Sequence, residues 1–385
     1  MAEFIARLLD PRPFPSAVFT TDKFYGWKIM PNIKHRLKTE VGSFISCSNS
    51  KGLREDREYN YIKPKDTFRI LILGDSFAEA TNIPMQYAFH SQLEEFLNKS
   101  GSKLRYEVIN SGVSGYSTDN EYLFFKHEGY KYHPDLVILT FVTQNDVRDN
   151  SRELMLDYFG YINKPYFVIK NNELKLMNFP YEKRILTKSN SFVEKFKEFI
   201  RTRSRLYIFI GDRIKNNFRI AQFLMKFKLI RKQELKSDNE IIPSFYYIYA
   251  PVYPKKWLDA WEITEKIILE LKKVVELSGG KLVVVIATNP EQVHASMREY
   301  WVSKFPVIKD KPLDLKKPQR ILVDFCKNNQ IAVLDLLPLF LEDLRKNHRY
   351  LHMPKEKGHW SIAGHRLASD LIFSFLNENG GLPNR

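Results

Sequence analysis

The segment Ile70-Leu-Ile-Leu-Gly-Asp-Ser76 constrains this chain more than any other. Ile70 to Leu73 is a short run of apolar, β-forming residues, preceded by the polar Lys63-Pro-Lys-Asp66. Such a run reads as a buried strand of a parallel sheet. Gly74-Asp75-Ser76 then breaks it. Open α/β sheets bind ligands just beyond the carboxyl ends of their strands, where this serine falls. Ser76 is a nucleophile if a base and an oxyanion site converge on it. Otherwise it caps the following helix.

Two further runs end the same way. Arg105-Tyr-Glu-Val-Ile109 leads into Asn110-Ser-Gly112, and Leu136-Val-Ile-Leu-Thr-Phe141 leads into Thr143-Gln-Asn-Asp146. Helical spacing fills the gaps, as in Tyr87 to Leu97, and Gly101 stops that helix. A strand over Lys281 to Ala287 and another over Ile331 to Leu334 follow, with helices over Leu258–Leu277 and Pro318–Asn328. Alternating strands and helices imply right-handed βαβ units and a parallel sheet of five strands. Near the end stands Gly358-His-Trp-Ser361, ahead of a last helix.

Gly-Asp-Ser, then Gly112, then Asn145-Asp146, then His359 is an order that resembles the SGNH/GDSL hydrolase superfamily. The resemblance runs from about Phe68 to Leu376, apart from an insert. Tyr106 to Tyr116, Asn145 to Asn150 and His359 to His365 are similar to the bacterial branch associated with surface polysaccharide modification. It implies a three-layer, flavodoxin-like α/β fold. It also implies that Ser76 is the nucleophile and His359 its base. The oxyanion donors it implies are the Ser76 and Gly112 backbone N–H groups and the Asn145 side chain. Asp75 and Asp146 are expected as hydrogen-bonding supports, and His365, on the last helix, as structural. Trp360 either packs beside the imidazole or anchors that helix.

The chain departs from the family in two places. The Asp expected two or three residues before the histidine is absent from Lys355-Glu-Lys-Gly-His359, leaving Glu356 as the acid in range. Either Glu356 orients the ring or the site runs as a dyad. The glycine expected before Asn-Asp is Gln144. The α/β-hydrolase elbow is excluded because Ala78 stands where it needs glycine, and a phosphate-binding Gly-Lys-Ser/Thr is missing. No spacing suits zinc, and the chemistry needs no cofactor.

Four parts are expected over 385 residues. Residues 1–66 form an arm or hairpin packed on the core. Residues 67–149 and 245–385 form the hydrolase core. Residues 150–244 form a basic, aromatic insert or cap, beginning with an Asn-Asn hairpin at Tyr161 to Leu174. The formal net charge is +15, and the stretch Lys188 to Lys236 holds 14 Lys/Arg against 4 Asp/Glu. That stretch is expected to meet an anionic polysaccharide or membrane surface, whereas a nucleic-acid role rests on net charge alone. Apolar residues are 44% of the chain, enough for a full core, yet no run is long enough to span a bilayer. Met1 to Pro11 lacks a secretory signal pattern. The expectation is a cytoplasmic chain, or an extracytoplasmic one whose start is missing.

The activity these readings imply is that of a serine esterase or O-acyltransferase acting on acyl groups, such as acetyl, of a carbohydrate or small ester. A lipase or thioesterase shares the chemistry. A degenerate domain that only binds polysaccharide is the alternative outside catalysis.

Overall fold

The computed structural model describes residues 18–182, 186–187, 244–354 and 358–383, with isolated positions 3, 200, 204, 206 and 207. Glu356 and nearly all of Lys188 to Lys236 lie outside the described residues.

The chain opens with two antiparallel ribbons, β1 (Phe19–Asp22) with β2 (Gly26–Ile29) and β3 (Lys34–Thr39) with β4 (Gly42–Cys47). The core then begins with β5 (Thr67–Gly74), α1 (Ser76–Glu79), α2 (Phe89–Lys99) and β6 (Arg105–Asn110). It continues through α3 (Thr118–His127), β7 (Leu136–Phe141), α4 (Thr143–Asn150) and α5 (Arg152–Tyr158). Short strands β8 (Tyr161–Ile162), β9 (Tyr166–Lys170), β10 (Glu173–Met177) and β11 (Leu186–Thr187) follow. After the gap come α6 (Lys255–Leu277), β12 (Lys281–Ile286), α7 (Pro290–Val293), α8 (Ala295–Lys304) and α9 (Lys317–Asn328). The chain closes with β13 (Ala332–Asp335), α10 (Leu337–Asn347) and α11 (Ile362–Glu378).

Strands β6, β5, β7, β12 and β13 form one parallel sheet in that spatial order. Numbered by their turn in the sheet, this is the 2-1-3-4-5 order of flavodoxin-like folds, with its switch point between the first and third strands. Every residue of β7 is buried, so alternate side chains serve opposite layers. Leu71, Leu73, Val137, Leu139 and Phe141 pack on one face with α3, α6 and α9. Ile70, Ile72, Leu136, Ile138, Val283 and Val285 pack on the other with α2, α10 and α11. Each fully buried side chain of this kind is worth about 1.5–3 kcal/mol. The result is the three-layer α/β sandwich expected from the alternating pattern.

The amino half of the sheet holds a buried ion pair. Arg69 and Glu107 face each other in register on β5 and β6. Arg69 Nε and Nη2 reach Glu107 Oε2 at 3.0 and 2.7 Å, and Nη1 donates to the Tyr132 carbonyl at 2.7 Å.

The Asn-Asn turn is present, joining β9 to β10 rather than ending at Leu174, with Asn171 and Asn172 both at positive φ. That geometry suits a two-residue hairpin. Lys164, just before it, is buried in the core: its Nζ meets Ser117 Oγ and Asp119 Oδ1 at 2.6 Å and Asn120 Oδ1 at 3.0 Å. The segment around Lys164 is therefore anchored to the start of α3. Among the described residues no helix is long and apolar enough to cross a membrane.

Candidate active site

Strand β5 delivers Ser76 to the carboxyl edge of the sheet, beside the switch point. The capping role left open for Ser76 belongs to its neighbour: Asp75 is the N-cap of α1, its Oδ1 accepting the Phe77 N–H at 2.8 Å. Ser76 is thereby the first residue of the helix, where an N–H has no intrahelical acceptor, and it is partly exposed.

His359 arrives from the far end of the chain. Its Nε2 stands 2.7 Å from Ser76 Oγ. The loop that carries it turns at Gly358, at φ +76°, and a Cβ there would fall 2.3 Å from Pro290 Cγ. Beyond the histidine, the Trp360 ring turns into the core and donates Nε1–H to Thr288 Oγ1 at 3.1 Å. Trp360 thus anchors the loop and last helix. The ring flanking the imidazole is Phe77, with centroids 5.1 Å apart. His365 is fully buried, its Nδ1 accepting the Phe89 N–H at 3.3 Å, in keeping with a structural part.

Asn145 comes from the start of α4, across the switch point. Its Nδ2 donates to Asp75 Oδ2 at 2.6 Å. Asp146, one residue on, accepts the Val142 N–H at 2.6 Å and is fully buried. Gly112 also lies at this edge, but its N–H donates to Asn110 Oδ1 at 3.0 Å. A Cβ on Gly112 would fall 2.6 Å from both Ala78 Cβ and the Glu79 nitrogen. The close approach of its loop to α1 leaves no room for a side chain there.

Burial pushes the Asp75 carboxyl up to about 6, against the hydrogen bonds from Phe77 and Asn145 that favour its charge. Burial, then the neighbouring Asp75, holds Asp146 well above the usual range. Burial and the nearby Asp146 do the same to Glu121 on α3. Glu121 has both oxygens without a hydrogen-bond partner among the described residues.

A second strap was not read from sequence. Gln144, standing where a glycine was expected, donates its amide to Glu291 Oε1 at 2.9 Å, and the Tyr249 hydroxyl donates to the same oxygen at 2.9 Å. Asn289 reaches that hydroxyl at 2.9 Å. The signal was available: Asn289-Pro-Glu-Gln292 follows β12 and forms a capping box. Among the described residues no group of three or more His, Cys, Asp or Glu is arranged to hold a metal ion.

No protein-family model matches the chain, and no curated protein matches it. It is similar to solved esterases. One is a two-domain esterase active on acetylated mannans, at 10% identity over 83% of this chain and 51% of that one, with a TM-score of 0.38. Another is an acetyl-xylooligosaccharide esterase from Geobacillus Stearmophilus, at 12% identity over 83% and 97%, with a TM-score of 0.39. A third, from Desulfitobacterium hafniense, is described as lipolytic and of the G-D-S-L family, at 10% identity over 80% and 99%, with a TM-score of 0.37. The chain spans about half the length of the two-domain esterase.

Proposed function

We propose that this protein is a serine esterase of the SGNH/GDSL type, acting through an acyl-enzyme. The observation that carries this reading is the 2.7 Å contact between Ser76 Oγ and His359 Nε2 at the carboxyl edge of the sheet. A hydroxyl becomes a competent nucleophile when a base within reach takes its proton. Ser76 Oγ attacks the acyl carbonyl while His359 Nε2 accepts the hydroxyl proton. The C–O bond to the alcohol then breaks, and His359 returns the proton to the departing oxygen. Water, activated by the same imidazole, releases the acid and frees Ser76.

The oxyanion needs donors already in place. We assign the Ser76 N–H and the second amide N–H of Asn145, whose first is spent on Asp75. The Gly112 N–H is the third proposed donor, held by Asn110 Oδ1 at 3.0 Å. We assign Glu356 to orient the other side of the imidazole. Its replacement by Gln is expected to lower kcat with KM little changed.

The resemblance of the Asn145–Asn150 and His359–His365 blocks to polysaccharide-modifying enzymes supports an O-acyl carbohydrate, acetyl foremost, as substrate. Transfer to a sugar hydroxyl follows the same steps, with that hydroxyl in place of water.

The test is turnover of p-nitrophenyl acetate with mass spectrometry of the protein. An acyl adduct on the Ser76 peptide, absent from Ser76→Ala, is expected. Full activity in Ser76→Ala removes the reading.

A further inference from the structure

The N-terminal arm sends one charged dipeptide, Arg54-Glu55, deep into the molecule. Arg54 is 3% exposed and Glu55 4%. The Arg54 guanidinium spends most of its donors on backbone carbonyls. Nη1 donates to Glu79 O at 2.7 Å and Ala80 O at 3.0 Å, Nη2 to Ile83 O at 2.8 Å, and Nε to Ser46 Oγ at 3.2 Å. Glu79 and Ala80 end the helix that begins at Ser76, and Ala80 closes it in a left-handed conformation at φ 57°. The last carbonyls of any helix lack intrahelical donors. A planar fork of five N–H groups spreads its donors over several carbonyls in a fixed geometry, whereas a lysine gathers three at one point.

The loop that Arg54 grips also holds the histidine. Asn82, between Ala80 and Ile83, donates Nδ2–H to the Trp360 carbonyl at 2.8 Å. One guanidinium is therefore one step from the peptide carrying Ser76 and two from the peptide after His359.

Glu55 reaches the third part of the site. Its Oε1 lies 3.4 Å from His90 Nε2, a close contact of two buried side chains. His90 Nδ1 is 3.1 Å from Asn110 Nδ2. The Asn110 amide also donates to Ala78 O at 2.7 Å, while its Oδ1 accepts the Gly112 N–H at 3.0 Å. An amide nitrogen only donates, so His90 Nδ1 accepts and its proton sits on Nε2, facing Glu55. His90 and Asn110 thereby tie α2 to the Gly112 loop, and Glu55 packs against the edge of the His90 ring without a hydrogen bond between the two.

We propose that Arg54 and Glu55 are positioning residues for the reaction, Arg54 setting the distance between Ser76 and His359 and Glu55 setting the Gly112 loop. The inference rests on the esterase reading of Ser76 and His359. Misplacing reacting groups by about 1 Å can cost about 10²-fold in rate.

The test uses the full chain with Arg54→Ala, Arg54→Lys and Glu55→Gln, each first checked for cooperative thermal unfolding. With p-nitrophenyl acetate, Arg54→Ala is expected to lose about 10²-fold in kcat with KM within about twofold. Added guanidinium should restore part of the lost rate, and methylammonium should not. Arg54→Lys and Glu55→Gln, which keep charge or shape, are expected to lose about tenfold. Hydrogen exchange should rise in residues 76–83 and 359–361 of the Arg54 variants and in 110–113 of Glu55→Gln, while β7 stays protected. If Arg54→Ala fails to fold, Arg54→Lys carries the test. A wild-type kcat in these variants, or an exchange increase spread evenly over the sheet, overturns the proposal. If the wild-type protein forms no acyl adduct and turns over no ester, the esterase reading falls, and the exchange pattern alone decides whether the dipeptide positions these loops.

Discussion

The two ends of the same sheet handle buried charge in opposite ways. At the amino end, Arg69 meets Glu107 through two N–H groups and gives a third to Tyr132, so both charges are answered. At the carboxyl end, Asp75, Asp119, Glu121 and Asp146 are all buried, with Lys164 on Asp119 and the buried Arg148, already paired with Asp149, beside Asp146. Asp119 Oδ2, Asp146 Oδ1 and both Glu121 oxygens have no hydrogen-bond partner among the described residues. Like charges in a low dielectric cannot all ionise, so protons are held there. At the first end the charges are paired, although the Tyr132 hydroxyl beside them is buried without a hydrogen-bond partner among the described residues. The other tolerates unsatisfied groups behind Ser76, where the chemistry is proposed to occur.

If that division is right, damage to the two ends should separate activity from stability. The largest effect belongs to His359→Ala, expected to lower kcat by about 10⁴-fold or more while Tm moves by only a few degrees. Steady-state ester hydrolysis beside calorimetry checks it. Arg69→Met should do the converse. It strands the Glu107 carboxylate in the core at a cost of about 3–5 kcal/mol, while kcat per folded molecule stays unchanged. Urea unfolding measures this, and Arg69→Met with Glu107→Leu should recover most of the loss.

Asn145→Ala sits at the join, since its amide serves both the proposed oxyanion and Asp75. It is expected to cost about 10²–10³-fold in kcat. A rise in KM of the same size with kcat unchanged would contradict the oxyanion assignment.

The smallest effect is a pH dependence. Asp75, Glu121 and Asp146 all hold their protons to higher pH when folded than when unfolded. Their contribution to stability is therefore complete below the ordinary carboxylate range. It is lost as pH rises through about 6, where Asp75 titrates, and beyond for the other two. Glu121→Gln keeps a neutral side chain at every pH. It is expected to match wild type at pH 4 and to exceed it in Tm at pH 8 by about 2 °C. An equal shift at both values would mean Glu121 is ionised in the native protein.

Much of the carboxyl end was legible because chemistry and position coincide there. Gly74-Asp75-Ser76 and Asn145-Asp146 each follow an apolar strand, and the motif order brought in His359. What was not legible depends on contacts between distant segments. Arg54 and Glu55 lie in a stretch with no periodicity, and only the fold brings them against Ala80 and His90. Gln144 read as a departure from the family, yet its amide holds the buried Glu291 in place. At Gly112 the neighbour that leaves no room for a side chain is Ala78 on α1, a contact no pattern in the sequence reveals. The ion pair of Arg69 and Glu107 follows from strand register, which no single-strand pattern fixes.

Ser76 and His359 are separated by 283 positions, and the histidine lies just ahead of the helix that packs last against α2. At about 5–20 residues per second, the serine leaves the ribosome roughly 15–60 s before its partner is made. A nascent chain therefore carries the Ser76 hydroxyl and much of the sheet before the proposed base exists. The proposed ester chemistry waits until His359 and the helix after it have been made.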